Sequence, residues 1–135
     1  MTQTLTPTME DYLEVINNLK KDGQTARVKN IAHGLKIKMP SVSEALKSLA
    51  DDGLVKHKKY GCIELTNKGN ELAREICSRH RILFKFLNGV LGIDPKIADE
   101  DACKMEHVIS RVTLKKLIEF LELMESLSEK EVSRL

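Results

Sequence analysis

Apolar residues in the first third of the chain recur every three or four positions. In "TMEDYLEVINNLKKDG" they are Met9, Tyr12, Leu13, Ile16 and Leu19, a helical stripe. Thr8 is placed to cap that helix, Pro7 restrains the chain before it, and Gly23 ends it. "ARVKNIAHGLKI" predicts a short second helix with Ile31, Ala32 and Leu35 inward and the turn at Gly34 to Ile37. "MPSVSEALKSLADDGLV" predicts a third, with Val42, Ala45, Leu46 and Leu49 on one side, Pro40 in its first turn and Gly53 at a left-handed stop. Two short helices joined by a brief turn are the helix-turn-helix pattern.

The period then changes. "LVKHKKYGCIELTNKG" alternates about a basic run and predicts a two-stranded hairpin turning near Lys59 to Gly61. A hairpin after the second helix of a helix-turn-helix makes a winged helix. A long helix follows, capped by Thr66 or Asn67, with Leu72, Ile76, His80, Leu83, Phe84 and Leu87 down one side and a break at Gly89 to Gly92. Asp94-Pro95 opens a short helix. A further helix is predicted through Cys103 to about Ser110, and a last one carries Leu114, Leu117, Ile118, Leu121 and Met124. The expected fold is mostly α with a small β-hairpin wing.

Composition narrows this picture. The chain has 135 residues, 41% hydrophobic and 31% charged, with no Trp, so aliphatic side chains must fill the core. No apolar run approaches the roughly 20 residues of a membrane span. The N-terminus lacks the basic and apolar regions of a signal peptide. Three cysteines (Cys62, Cys77 and Cys103) argue against a disulfide scaffold and for a reducing, cytoplasmic setting. Net charge is +2 but unevenly spread: −2 over residues 1–23, +5 over 24–74 and −1 over 75–135. A basic middle is the footprint of nucleic-acid binding, against the plainer alternative of an unevenly charged solvated surface.

In a helix-turn-helix the second helix enters the major groove by its N-terminal residues, here Pro40, Ser41, Ser43, Glu44 and Lys47. Lys36, Lys38, Lys47, Lys56, Lys58 and Lys59 would neutralise phosphates. Metal-ligand types also recur. Asp11 and Glu14 share a face of the first helix, His80 lies on the long helix, and "ACKMEH" places Cys103, Glu106 and His107 at i, i+3 and i+4. Taken singly each has a plain structural explanation: solvent-facing acids, a satisfied core histidine, a small buried thiol. No H-E-x-x-H pattern or nucleophile–base pair suggests an enzyme.

Taken together, "TPTMEDYLE", "IAHGLKIKMPSVSEALKSLADDGLV", "YGCIELTNKG", "RHRILFKFL" and "ACKMEHVIS" resemble, in this order, the diphtheria toxin repressor family, which includes the manganese transport regulators. The resemblance runs from about Thr6 to Leu123. It implies a winged-helix DNA-binding domain (1–74) and a helical metal-binding and dimerisation domain (75–135), in the short form without the SH3-like domain of longer members. It implies a homodimer whose operator binding is switched on by Fe(II) or Mn(II), one or two ions per subunit, held between the domains by Asp11, Glu14, His80, Cys103, Glu106 and His107. Asp11 and Glu14 match the manganese branch, whereas Cys103 stands where the iron branch has Cys and the manganese branch Glu. Phe84 and Asp99 occupy positions where the iron branch's second site has Glu and His. A thiolate among oxygen donors favours Fe(II), Co(II) or Zn(II) over Mn(II). The competing expectation is a winged-helix regulator that senses a small organic ligand, with His80 and Cys103 as core residues.

Overall fold

The structure, a computed structural model, describes residues 7–133. The chain divides into two compact units after Cys77. The first holds α1 (Pro7–Lys21), α2 (Val28–Leu35), α3 (Met39–Asp51), β1 (Val55–His57), β2 (Ile63–Leu65) and the start of α4 (Asn67–Phe84). The second holds the end of α4, a π-helical continuation over Lys85–Val90, α5 (Pro95–Met105) and α6 (Arg111–Ser133). The expected architecture, helices with one small hairpin, is the one observed. Among the described residues no helix is long and apolar enough to cross a membrane.

The first unit is built on aliphatic burial. Leu13 and Ile16 of α1, Ile31 of α2, and Val42, Leu46 and Leu49 of α3 are all buried in one core. At about 1.5–3 kcal/mol for each fully buried aliphatic side chain, this stripe outweighs the weak intrinsic helicity of elements as short as α2. Tyr12 joins the core, and burial pushes its phenol pKa above the ordinary value. β1 and β2 pair antiparallel, with Val55 opposite Leu65, Lys56 opposite Glu64 and His57 opposite Ile63. The Ile63 N–H also donates to the Ala26 carbonyl at 2.8 Å, which ties the wing to the segment before α2.

Three helices of this unit stop by one device. At each, an N–H reaches back five residues: Gln24 to Leu19 at 2.9 Å, Ile37 to Ala32 at 3.1 Å, Leu54 to Leu49 at 2.9 Å. The residue before each donor is left-handed: Gly23 at φ 73°, Lys36 at φ 57° and Gly53 at φ 74°. This is the Schellman stop. Both glycines stand where the sequence predicts a stop, and the α2 turn falls within the expected span of Gly34 to Ile37, at Lys36. Gly34 itself stays inside α2, where an added Cβ would lie 3.2 Å from Val15 Cγ1, so its role is to admit the neighbouring helix. Thr8 lies inside α1, which already begins at Pro7, rather than before its first turn.

Thr66, not Asn67, caps α4. Its Oγ1 accepts from the Gly69 N–H at 3.1 Å and donates to the Gly53 carbonyl at 2.6 Å, so one hydroxyl joins the end of α3 to the start of α4. In the second unit Leu83, Leu87, Ala98 and Ala102 form a small buried core. Phe86 and Phe120 meet edge to face, ring centroids 6.2 Å apart. Two helices were expected between Asp94 and Ser110, but one is found. Asp94 caps it through the Lys96 N–H at 3.2 Å, Pro95 fills its first position, and it ends at Met105.

Candidate metal centre and nucleic-acid interface

In the second unit three short segments bring ligand-type side chains together. α4 supplies His80, one face of α5 supplies Asp99 and Cys103 a turn apart, and the turn after α5 supplies Glu106 and His107. Because α5 stops at Met105, Glu106 is its C-cap rather than a residue of a continuing helix. His80 Nδ1 lies 3.0 Å from Glu106 Oε2 and 3.7 Å from Cys103 Sγ. His107 Nε2 lies 3.6 Å from Glu106 Oε1. Separations of this size are those of neighbouring ligand atoms around one divalent ion, about 3–3.6 Å for metal–ligand bonds of about 2.0–2.3 Å.

Glu106 decides whether these residues suit a metal. Its side chain is fully buried, and Oε1 has no hydrogen-bond partner. A buried carboxylate oxygen left so is costly, and a cation is among the few groups that compensate it. The donor set of carboxylate, two imidazoles and a thiol suits a borderline divalent ion. These residues fit a metal.

Within the second unit, His80, Cys103, Glu106 and His107 lie together. Asp11 and Glu14, both half-buried, sit one turn apart on α1 in the first unit. The structure also adds a neighbour that sequence reasoning noticed only as a changed position. Asp99 Oδ1 lies 2.8 Å from His80 Nε2, and the ligand atoms of His80, Asp99 and Cys103 all fall within 4.8 Å of one another. Phe84, the other changed position, packs against the second core.

The first unit presents the basic surface. α3 turns Val42, Leu46 and Leu49 inward, which leaves Pro40, Ser41, Glu44 and Lys47 exposed and Ser43 half-buried. Lys36, Lys38, Lys56, Lys58 and Lys59 are exposed as well. Sequence reasoning passed over Tyr60. It is 89% exposed at the wing tip with φ 63°, an aromatic side chain among lysines on a left-handed backbone. An aromatic inside a basic turn was the available signal.

Residues 4–63 match the profile of the N-terminal DNA binding domain of iron dependent repressors. Residues 66–130 match the profile of the iron dependent repressor metal binding and dimerisation domain. The chain is 37% identical over 119 residues to an HTH-type transcriptional regulator of Methanocaldococcus jannaschii, covering 87% of this chain and 95% of that one. It is 40% identical over 106 residues to the transcriptional regulator MntR of Escherichia coli O6:H1, covering 78% of this chain and 68% of that protein. Among solved structures, that of the manganese regulator SloR superposes with a TM-score of 0.77 at 34% identity over 87% of this chain. The chain spans about half of that longer protein, 55% of its length.

Proposed function

The chain belongs to the iron-dependent repressor family of metal-dependent transcriptional regulators, the diphtheria toxin repressor and MntR group, and from that premise we propose that it is a homodimeric repressor whose binding to double-stranded operator DNA requires Fe(II) or Mn(II). On this reading it acts in the cytoplasm in metal-ion homeostasis. Residues 1–74 are its DNA-binding domain and 75–135 its metal-binding and dimerisation domain. The observation that carries the reading is Glu106, a buried carboxylate between two imidazoles with one oxygen that makes no hydrogen bond, in a chain whose other unit is a lysine-bearing winged helix.

A divalent cation bound there supplies the positive charge that these donors lack. Glu106 and His107 hold it, His80 offers Nδ1, and Cys103 offers a thiolate. Asp11 and Glu14 complete the proposed ligand set on sequence grounds, which ties the DNA-binding domain to the ligand set. Ligands drawn from both domains favour one arrangement over others, and the shift in DNA affinity equals the difference in metal affinity between arrangements. Paired half-sites about 34 Å apart are the kind of target that demands a fixed arrangement.

Ser41, Ser43 and Pro40 are positioned to meet base edges, and Lys36, Lys38, Lys47, Lys56, Lys58 and Lys59 to meet phosphates. α6 supports the homodimer. Val112 (72%), Leu123 (57%) and Leu127 (49%) expose apolar surface along it, a face that a second copy would cover. Cys103, whose softness favours Fe(II), tilts the choice between iron and manganese toward iron, with cellular availability also selecting the metal.

The test is an anaerobic titration with Fe(II), Mn(II) and Zn(II) in parallel, read by binding to a double-stranded DNA selected from a random library by the metal-loaded protein. Metal is expected to tighten binding. Equal affinity with and without metal overturns the switch, and failure to retain any metal would favour an organic-ligand sensor.

A further inference from the structure

The two ring nitrogens of His80 face two different carboxylates. Nδ1 points to buried Glu106 at 3.0 Å, with Cys103 Sγ at 3.7 Å on the same side. Nε2 points to Asp99 at 2.8 Å, and the Asp99 side chain is 59% exposed. A neutral imidazole carries one hydrogen and one lone pair. A single ion cannot engage both nitrogens of one ring, because they lie at separate corners with their lone pairs directed apart. An ion among Glu106, Cys103 and His80 therefore takes the Nδ1 lone pair. The ring hydrogen then sits on Nε2, where Asp99 is already placed to accept it.

We propose that Asp99 is a positioning residue for the metal site: it accepts the Nε2–H of His80 and so fixes the tautomer and ring orientation that present Nδ1 to the ion. Ligating histidines commonly donate their second N–H to a carboxylate in this way. The helix geometry supports it. Asp99 and Cys103 are one turn apart on α5, so a single helix face addresses both nitrogens of one ring, with a hydrogen-bond acceptor at one and a ligand at the other. Asp99 is not itself a ligand. The inference rests on the metal-site reading above, and its test is chosen to separate the two.

The experiment uses the full chain in anaerobic titration with Co(II) and Mn(II). Its readouts are dissociation constant, stoichiometry and the Co(II) absorption spectrum, including the thiolate-to-cobalt band. Asp99→Ala removes the acceptor. Asp99→Asn keeps an acceptor oxygen but loses the charge, and Asp99→Glu restores a carboxylate. Asp99→Ala is expected to weaken metal binding about 10- to 100-fold. Stoichiometry and spectrum at saturation should not change, Asn should fall between Ala and wild type, and Glu should recover part of the loss. Operator affinity at saturating metal should also stay at the wild-type value. Wild-type affinity in Asp99→Ala overturns the proposal, because the contact is then only a surface contact. A lost equivalent of metal or an altered Co(II) spectrum overturns it too, because Asp99 is then a ligand. Wild-type protein that takes up no metal sinks the underlying reading instead. Circular dichroism of each variant checks the fold, which an exposed helical position is expected to preserve.

Discussion

Glu106 Oε2 lies 3.0 Å from His80 Nδ1 while the other oxygen of the same carboxylate, Oε1, is buried without a hydrogen bond. Oε1 has the imidazole of His107 at 3.6 Å, too far for a hydrogen bond, and on the function proposed above it is the oxygen a cation would take. A core that kept such a group for stability alone would do better with an apolar residue. Glu106→Gln preserves the shape and removes the charge. It is expected to fold with metal-free stability at least equal to that of wild type, and to lose the metal response. At a metal concentration about 100 times the dissociation constant, wild type should gain about 2.7 kcal/mol from binding. Thermal unfolding with and without Mn(II) should show that gain as a rise in Tm in wild type and none in the variant. Glu106→Ala should likewise bind operator DNA equally weakly with and without metal. A full metal-induced rise in either variant would remove Glu106 from the site.

Cys103 is the soft member of a set otherwise made of carboxylates and imidazoles, and its sulfur lies 3.7 Å from His80 Nδ1. Replacing the thiol by a hard oxygen donor should shift selectivity rather than abolish binding. Cys103→Glu is expected to raise the preference for Mn(II) over Zn(II) or Fe(II) by about tenfold, or roughly 1.4 kcal/mol. Competition titrations with a chromophoric chelator measure the ratio directly. An unchanged ratio would mean that sulfur does not set selectivity.

The stops of α1 and α3 were legible because a glycine in a left-handed stop is a local requirement. Gly23 and Gly53 announce it in the sequence. The stop of α2 was legible only as a span, Gly34 to Ile37. There the left-handed residue is Lys36, and the nearby glycine, Gly34, serves helix packing against Val15, a contact between residues far apart in the chain. The candidate metal ligands divide in the same way. Glu106 and His107 could be picked out as residue types, but the burial of Glu106, with one oxygen making no hydrogen bond, comes from tertiary packing. The Asp99–His80 contact joins residues 19 apart on different helices and leaves no local trace. The length of α5 was misjudged because Cys103 to His107 read as one helical face, whereas the helix ends at Met105 and the turn carries the last two.

Lys36 holds φ 57° at a position where the equivalent residues of α1 and α3 are glycines. A non-glycine residue in that conformation costs about 1 kcal/mol. It also places an exposed ammonium in the turn of the helix-turn-helix. Lys36→Gly should therefore separate stability from DNA binding. The variant is expected to unfold at a higher urea midpoint, by up to about 1 kcal/mol. Its affinity for DNA should fall across sequences, with the slope of log K against log salt reduced in magnitude by about one. Unfolding curves and binding isotherms at several salt concentrations check both halves. Unchanged salt dependence would place Lys36 outside the phosphate contacts.

Gly69 sits in the first turn of α4 against the carbonyl of Leu54, and a Cβ there would overlap the Leu54 oxygen. Two effects oppose each other in Gly69→Ala. Alanine favours the helix by about 1 kcal/mol. Forcing backbone apart at the junction of α3, β1 and α4 costs more, about 1–3 kcal/mol for ordinary overpacking and more when the obstacle is backbone. The same shift strains the Thr66 hydroxyl, which accepts from the Gly69 N–H and donates to Gly53. Net destabilisation of about 2 kcal/mol is expected, concentrated in the first unit. Gly34→Ala meets side-chain rather than backbone atoms, a Val15 methyl at 3.2 Å, and should cost less. Urea unfolding of both variants, with hydrogen exchange to locate the loss, measures the difference. A Gly69→Ala protein as stable as wild type would mean that α4 can leave Leu54 without penalty.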